Sequence, residues 1–88
     1  MTLELIKELF DDMYYNRIFS IVLYYIDVDN DINDWFPISY NIKKKKFLVS
    51  CQYDDLLYDS FEDFVSHFKF TNGKMIPEVL EYLSYIDD

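Results

Sequence analysis

From Phe36 to Tyr53, apolar and aromatic residues recur at every second position, and a run of four lysines divides the segment in two. Phe36, Ile38, Tyr40 and Ile42 share one face of the first half, and Phe47, Val49, Cys51 and Tyr53 share one face of the second. A period of two places such residues on a single side of an extended chain, so the pattern predicts a β-hairpin turning through Lys43–Lys46. Pro37 cannot donate to a ladder, which favours an edge position or the first residues of its strand.

The flanking segments add a third strand and helices. Thr2 is a suitable N-cap, and Leu3, Ile6, Leu9, Phe10 and Met13 follow at helical spacing with acids and Lys7 between them. From Ile18 to Val28 the residues are β-branched or aromatic at both alternating positions, which predicts a strand buried on both sides. Asp29–Asp34 ends it with turn-forming side chains. Beyond the hairpin, Ser60 and Asp63 resemble a capping box ahead of Phe61, Phe64, Val65 and Phe68, a second helix. Thr71-Asn72-Gly73 is a turn or helix stop. Pro77 then suits the start of a third helix with Val79, Leu80, Leu83 and Ile86 on one face. The expectation is one α+β domain over residues 1–88, a three-stranded antiparallel sheet with helices packed against it, in the order α-β-β-β-α-α.

Composition then limits what such a domain does. An 88-residue chain needs a rich core, and nine Tyr, eight Phe and one Trp supply it. Seventeen acids against eight Lys and Arg give a net charge of −9, which repels nucleic-acid phosphates and attracts basic proteins. The same charge also keeps an aromatic-rich protein in solution. One cysteine excludes an intrachain disulfide, the first residues show no secretory pattern, and the run Ile18–Ile26 is about half of what spans a bilayer. A cytoplasmic protein without membrane contact is expected.

The candidate chemistries are weak. Asp27, Asp29, Asp31 and Asn33 begin a calcium-loop pattern, but Ile32 stands where a glycine belongs and Ile38 where a bidentate glutamate belongs, so no metal is expected. Cys51 and His67 are the only residues for a thiol–imidazole pair, and Cys51 falls on the apolar strand face. A single glycine precludes glycine-rich phosphate loops. No cofactor and no enzymatic activity are expected. The four lysines read as a solvated turn that discourages edge pairing.

Two stretches interleave acids with large amphipathic rings: Asp29, Asp31 and Asp34 beside Trp35, and Asp54, Asp55, Asp59 and Glu62 around Tyr53 and Tyr58. Tyr and Trp are enriched at interface hot spots, and acids steer a basic surface into place, so these ten residues are the candidate partner-binding set. Each also has an ordinary reading as core ring, helix first turn or solvated loop.

In size, acidity, tyrosine content and helix-then-sheet layout, with the stretches Asp29-Asn30-Asp31-Ile32-Asn33-Asp34-Trp35 and Tyr53-Asp54-Asp55-Leu56-Leu57-Tyr58-Asp59, the chain resembles bacterial immunity proteins against nuclease toxins, including those of contact-dependent growth inhibition. The resemblance implies an antitoxin-like inhibitor that covers a basic nuclease site with carboxylates in place of phosphates. Small phage anti-CRISPR proteins look similar and give the alternative of a nucleic-acid-mimicking inhibitor. A protein-interaction adaptor with a merely solubilising acidic surface is the third class.

Overall fold

A computed structural model describes residues 1–52 and 54–87. The first element is α1 (Leu3–Tyr14), whose first turn is capped by Thr2, with Oγ1 accepting from the Leu5 N–H at 3.1 Å. It buries Ile6, Leu9, Phe10 and Met13, the stripe that the helical spacing marks. Asn16, in the left-handed region, turns the chain back so that the Arg17 N–H bonds the Asp12 carbonyl at 2.8 Å.

Strands β1 (Ser20–Asp27), β2 (Ile32–Asn41), β3 (Lys46–Ser50), β4 (Asp55–Tyr58) and β5 (Leu83–Asp87) form one antiparallel sheet in the order β4-β3-β2-β1-β5. The expected hairpin is β2–β3. It turns through residues 42–45, where Asn41 Oδ1 accepts from the Lys44 N–H at 3.0 Å and Lys45 takes a positive φ. Lys46 already belongs to β3, opposite Asn41, and Ile42 lies in the turn, exposed, off the predicted face.

The α+β class holds, but the three-stranded sheet and the third helix do not: the sheet has five strands. Leu56-Leu57-Tyr58, too short to show a period, is the edge strand β4 beside β3. The predicted third helix is two single 3-10 turns, Ile76–Glu78 and Leu80–Tyr82, followed by β5. Leu83 and Tyr85 satisfy a period of two as well as Val79 and Leu83 satisfy a period of four. The unpaired flank of β1 decides between them by supplying ladder partners, Tyr25 to Leu83 and Leu23 to Tyr85.

Helix α2 (Phe61–His67) carries the predicted cap: Ser60 Oγ accepts from the Asp63 N–H at 3.0 Å and Asp63 Oδ2 accepts from the Asp59 N–H at 2.9 Å. The helix stops before Phe68, whose backbone is extended. A tight loop follows in which the Phe70 N–H bonds the Lys74 carbonyl and Gly73, at φ 83°, makes the reversal that a side chain disfavours.

The core lies on one side of the sheet. Ile21, Leu23 and Tyr25 of β1, Phe36 and Ile38 of β2, Phe47 and Val49 of β3, Tyr58 of β4 and Leu83 of β5 pack against α1, α2 and the segment after it. Rings connect these layers: Phe10 to Phe64 at 5.0 Å, Phe64 to Phe68 at 5.1 Å, Phe68 to Phe70 at 5.0 Å and Phe70 to Tyr25 at 4.6 Å. Among the described residues no element covers the other side of the sheet, which is bare, contrary to the expectation that the first strand is buried on both faces. Register places Ile86, Val22 and Pro37 in one cross-strand row there, Ser84, Tyr24 and Trp35 in a second, and Leu57, Leu48 and Ser39 in a third. Trp35 is 60% exposed, Ile86 52%, Ile26 42% and Leu57 39%.

The two faces differ sharply in their tolerance of truncation. Phe64→Ala should cost about 3–5 kcal/mol, a large part of the stability of a domain this size, whereas Leu57→Ala on the bare face should change it by about 1 kcal/mol or less. Urea unfolding of the two variants measures both.

Candidate functional site: a cleft beside the bare sheet face

β2 and β3 part company halfway along β2. Their ladder ends at the Ile38–Val49 pair, next to Pro37, whose nitrogen has no hydrogen to give. Beyond it β3 runs into a turn closed by the Cys51 N–H and the Asp54 carbonyl at 2.9 Å, while β2 continues along β1. The parting leaves a cleft of about 770 Å³. Asp34, Trp35 and Phe36 line one wall, Cys51 and Asp54 the other, and Lys69 and Thr71 close one end.

Asp34 is held in place: its Oδ2 accepts from Thr71 Oγ1 at 3.0 Å. Phe36 forms the floor, packed edge-on against Phe68 at 5.3 Å. Trp35, one residue away, points by strand alternation to the opposite side of the sheet, where the cleft opens onto the bare face. Burial first, and then the Asp54 and Asp55 carboxylates, push the Cys51 thiol above its ordinary pKa, which keeps it protonated and poorly nucleophilic at neutral pH.

Of the predicted partner-binding residues, the structure brings Asp34, Trp35 and Asp54 together in this cleft from separate segments. Asp55 is exposed at the start of β4. Asp59 pairs with Lys46 across the β3–β4 edge and, with Glu62, borders a small hollow of about 170 Å³ against Lys7 and Tyr14 of α1. Asp29 and Asp31 are exposed at the β1–β2 connection, where Asp31 takes a left-handed φ of 56°. Tyr58 is a core residue at 8% exposure, its ring 5.5 Å from Phe64, and burial, ahead of the effects of Cys51 and Asp63, raises its pKa. Tyr53 lies outside the described residues.

The acidic turn has a structural use for its first member. The Asp27 carboxylate accepts from the Asn30 side chain at 2.8 Å and caps the 3-10 turn Val28–Asn30. His67 is exposed on α2, with Nδ1 2.8 Å from Asp63 Oδ1. Among the described residues, no three His, Cys, Asp or Glu side chains are grouped to hold a metal ion, and no helix is long and apolar enough to cross a membrane. Lys69 and Thr71 carry no sequence signal for the cleft, because they reach it only through the loop after α2. Comparison with protein-family models, curated proteins and solved structures finds no match.

The raised Cys51 and Tyr58 pKa values fix the sign of a pH effect. A folded state that binds a proton more tightly than the unfolded chain is stabilised below the ordinary thiol and phenol values and loses that stabilisation as pH rises through the raised ones. Unfolding free energy should therefore fall with increasing alkalinity in that range, and Cys51→Ser should make the decline shallower. Chemical denaturation at a series of alkaline pH values checks this.

Proposed function

We propose that this chain is a binding protein for a basic protein partner, which it engages through the cleft of Asp34, Trp35 and Asp54. It acts as an inhibitor of the immunity-protein kind, occluding a nuclease toxin's cationic surface in the cytoplasm. The observation that carries the reading is the convergence of these three residues from β2 and the β3–β4 turn on one large cleft. A cleft lined by an exposed indole and two carboxylates suits a cationic surface: the ring contributes contact area and stacks on guanidinium groups, and the acids orient and pair with them.

The inhibitor's role is mechanical in this reading. A basic active site that meets Asp34 and Asp54 has its phosphate-binding cations neutralised and its entrance filled, so nucleic acid is excluded without any reaction on the inhibitor. The protonated Cys51 thiol in the same cleft supports binding over covalent chemistry.

The test combines capture, kinetics and growth. A basic protein captured from the native host at low ionic strength should bind with an association rate that falls steeply as salt approaches physiological strength, where screening acts beyond about 8 Å, while dissociation changes little. Asp34→Lys with Asp54→Lys should weaken binding by several kcal/mol if these acids meet desolvated cations, and should abolish rescue of cells intoxicated by that protein. Glu4→Lys with Glu8→Lys, exposed on α1 away from the cleft, should leave both unchanged. Equal rescue by both variants, or an acidic partner, overturns the reading.

A further inference from the structure

The bare face of the sheet has a charge pattern at odds with the rest of the chain. Of the strand positions on that side, only Lys46 and Asp55 carry a formal charge, and Lys46 is paired with Asp59, in a chain that is 28% charged. Its centre is Val22, Tyr24 and Leu48, half-buried, and its margins are Trp35, Leu57 and Ile86, exposed. Depletion of charge with enrichment of aromatic and aliphatic side chains marks the core of a protein interface, and exposed apolar patches of this extent are uncommon on monomers. Apart from Trp35, which it shares with the cleft, this neutral surface offers a cationic partner no acid to pair with.

We propose that the bare face is where a second copy of the chain docks, giving a symmetric dimer in which two sheets pack face to face. The charge pattern selects this occupant. Two copies at −9 repel through their acids, yet this face is the broad surface on which they meet without burying like charges, the acids remaining in solvent around the rim. The area is sufficient. Five strands at about 4.8 Å spacing and five paired residues at about 3.3 Å each give a face of about 24 by 17 Å, so two copies bury roughly 1,000 Å² once side-chain relief is included, the lower bound for a specific interface. A two-fold axis through the face makes the contact self-complementary and closed, and the sheets then stack about 10 Å apart as in a sandwich.

The dimer face and the cleft share Trp35, but salt separates the dimer from the inhibitor reading. Screening weakens attraction between an acidic cleft and a basic partner, but it relieves repulsion between two acidic copies. Sedimentation equilibrium at about 100 µM should give twice the 10.8 kDa chain mass, with the dimer tightening by about tenfold or more between low salt and roughly 0.5 M. Trp35, the sole tryptophan, should emit at longer wavelength on dilution as its ring returns to water. Ile86→Lys and Leu57→Lys, neither of which lines the cleft, should each give a monomer with an unchanged far-ultraviolet circular dichroism spectrum. A wild type that is monomeric at both salt concentrations overturns the proposal, as does a dimer that salt weakens or that survives both substitutions.

Discussion

The structure depends on a seam of aromatic rings laid along one side of the sheet. Phe10 of α1 touches Phe47 of β3 at 4.7 Å and Phe64 of α2 at 5.0 Å, and from Phe64 the contacts run through Phe68 and Phe70 to Tyr25 of β1. Each ring buries roughly 150–250 Å² with few rotatable bonds, so a short chain gains much apolar burial for little side-chain entropy. The seam also sets the topology. Both helices and the loop 69–75 must lie on the same side to contribute their rings, and none of the described residues remains to cover the other. The bare face is thus a direct consequence of concentrating 88 residues into one well-packed layer.

The same economy accounts for the polar details at the seam's ends. Tyr25 is almost fully buried, yet its hydroxyl accepts from the Asn72 side chain at 3.1 Å, so the ring enters the core without stranding a polar group. Asn72 is held in the turn that Gly73 permits, and its Oδ1 accepts from the Lys74 N–H at 3.1 Å. The turn that reads in the sequence as a helix stop is therefore also what closes the far end of the core.

What the sequence made legible follows from how local each signal is. The α1 stripe, the Thr2 and Ser60 caps and the β2–β3 hairpin depend on residues within a few positions of one another, and all are found in the structure. β5 depends on the free flank of β1, some sixty residues earlier, which local spacing does not contain. The site divides in the same way. Strand parity separates Trp35 from Phe36 and so marks the indole as facing away from the core, whereas Tyr58 sits opposite Phe47 on the core side. The meeting of Asp34 and Asp54 with Lys69 and Thr71 arises only when β3 turns away from β2 and the loop after α2 crosses the gap.

Net charge by itself overstates how many acids are available to a partner, because several of them hold the fold. Asp12 pairs with Arg17 at 2.6 Å, Asp27 caps the turn after β1, Asp63 receives the Asp59 N–H and contacts His67, and Glu78 accepts from the Met75 N–H at 2.7 Å. A carboxylate already satisfied by a backbone or side-chain donor must break that bond to meet a partner's cation, which offsets much of the gain. Asp54 and Asp55 make no such side-chain bond among the described residues, and Asp34 makes one with a single hydroxyl. Their availability, rather than the total of seventeen acids, is what distinguishes the cleft from the rest of an acidic surface.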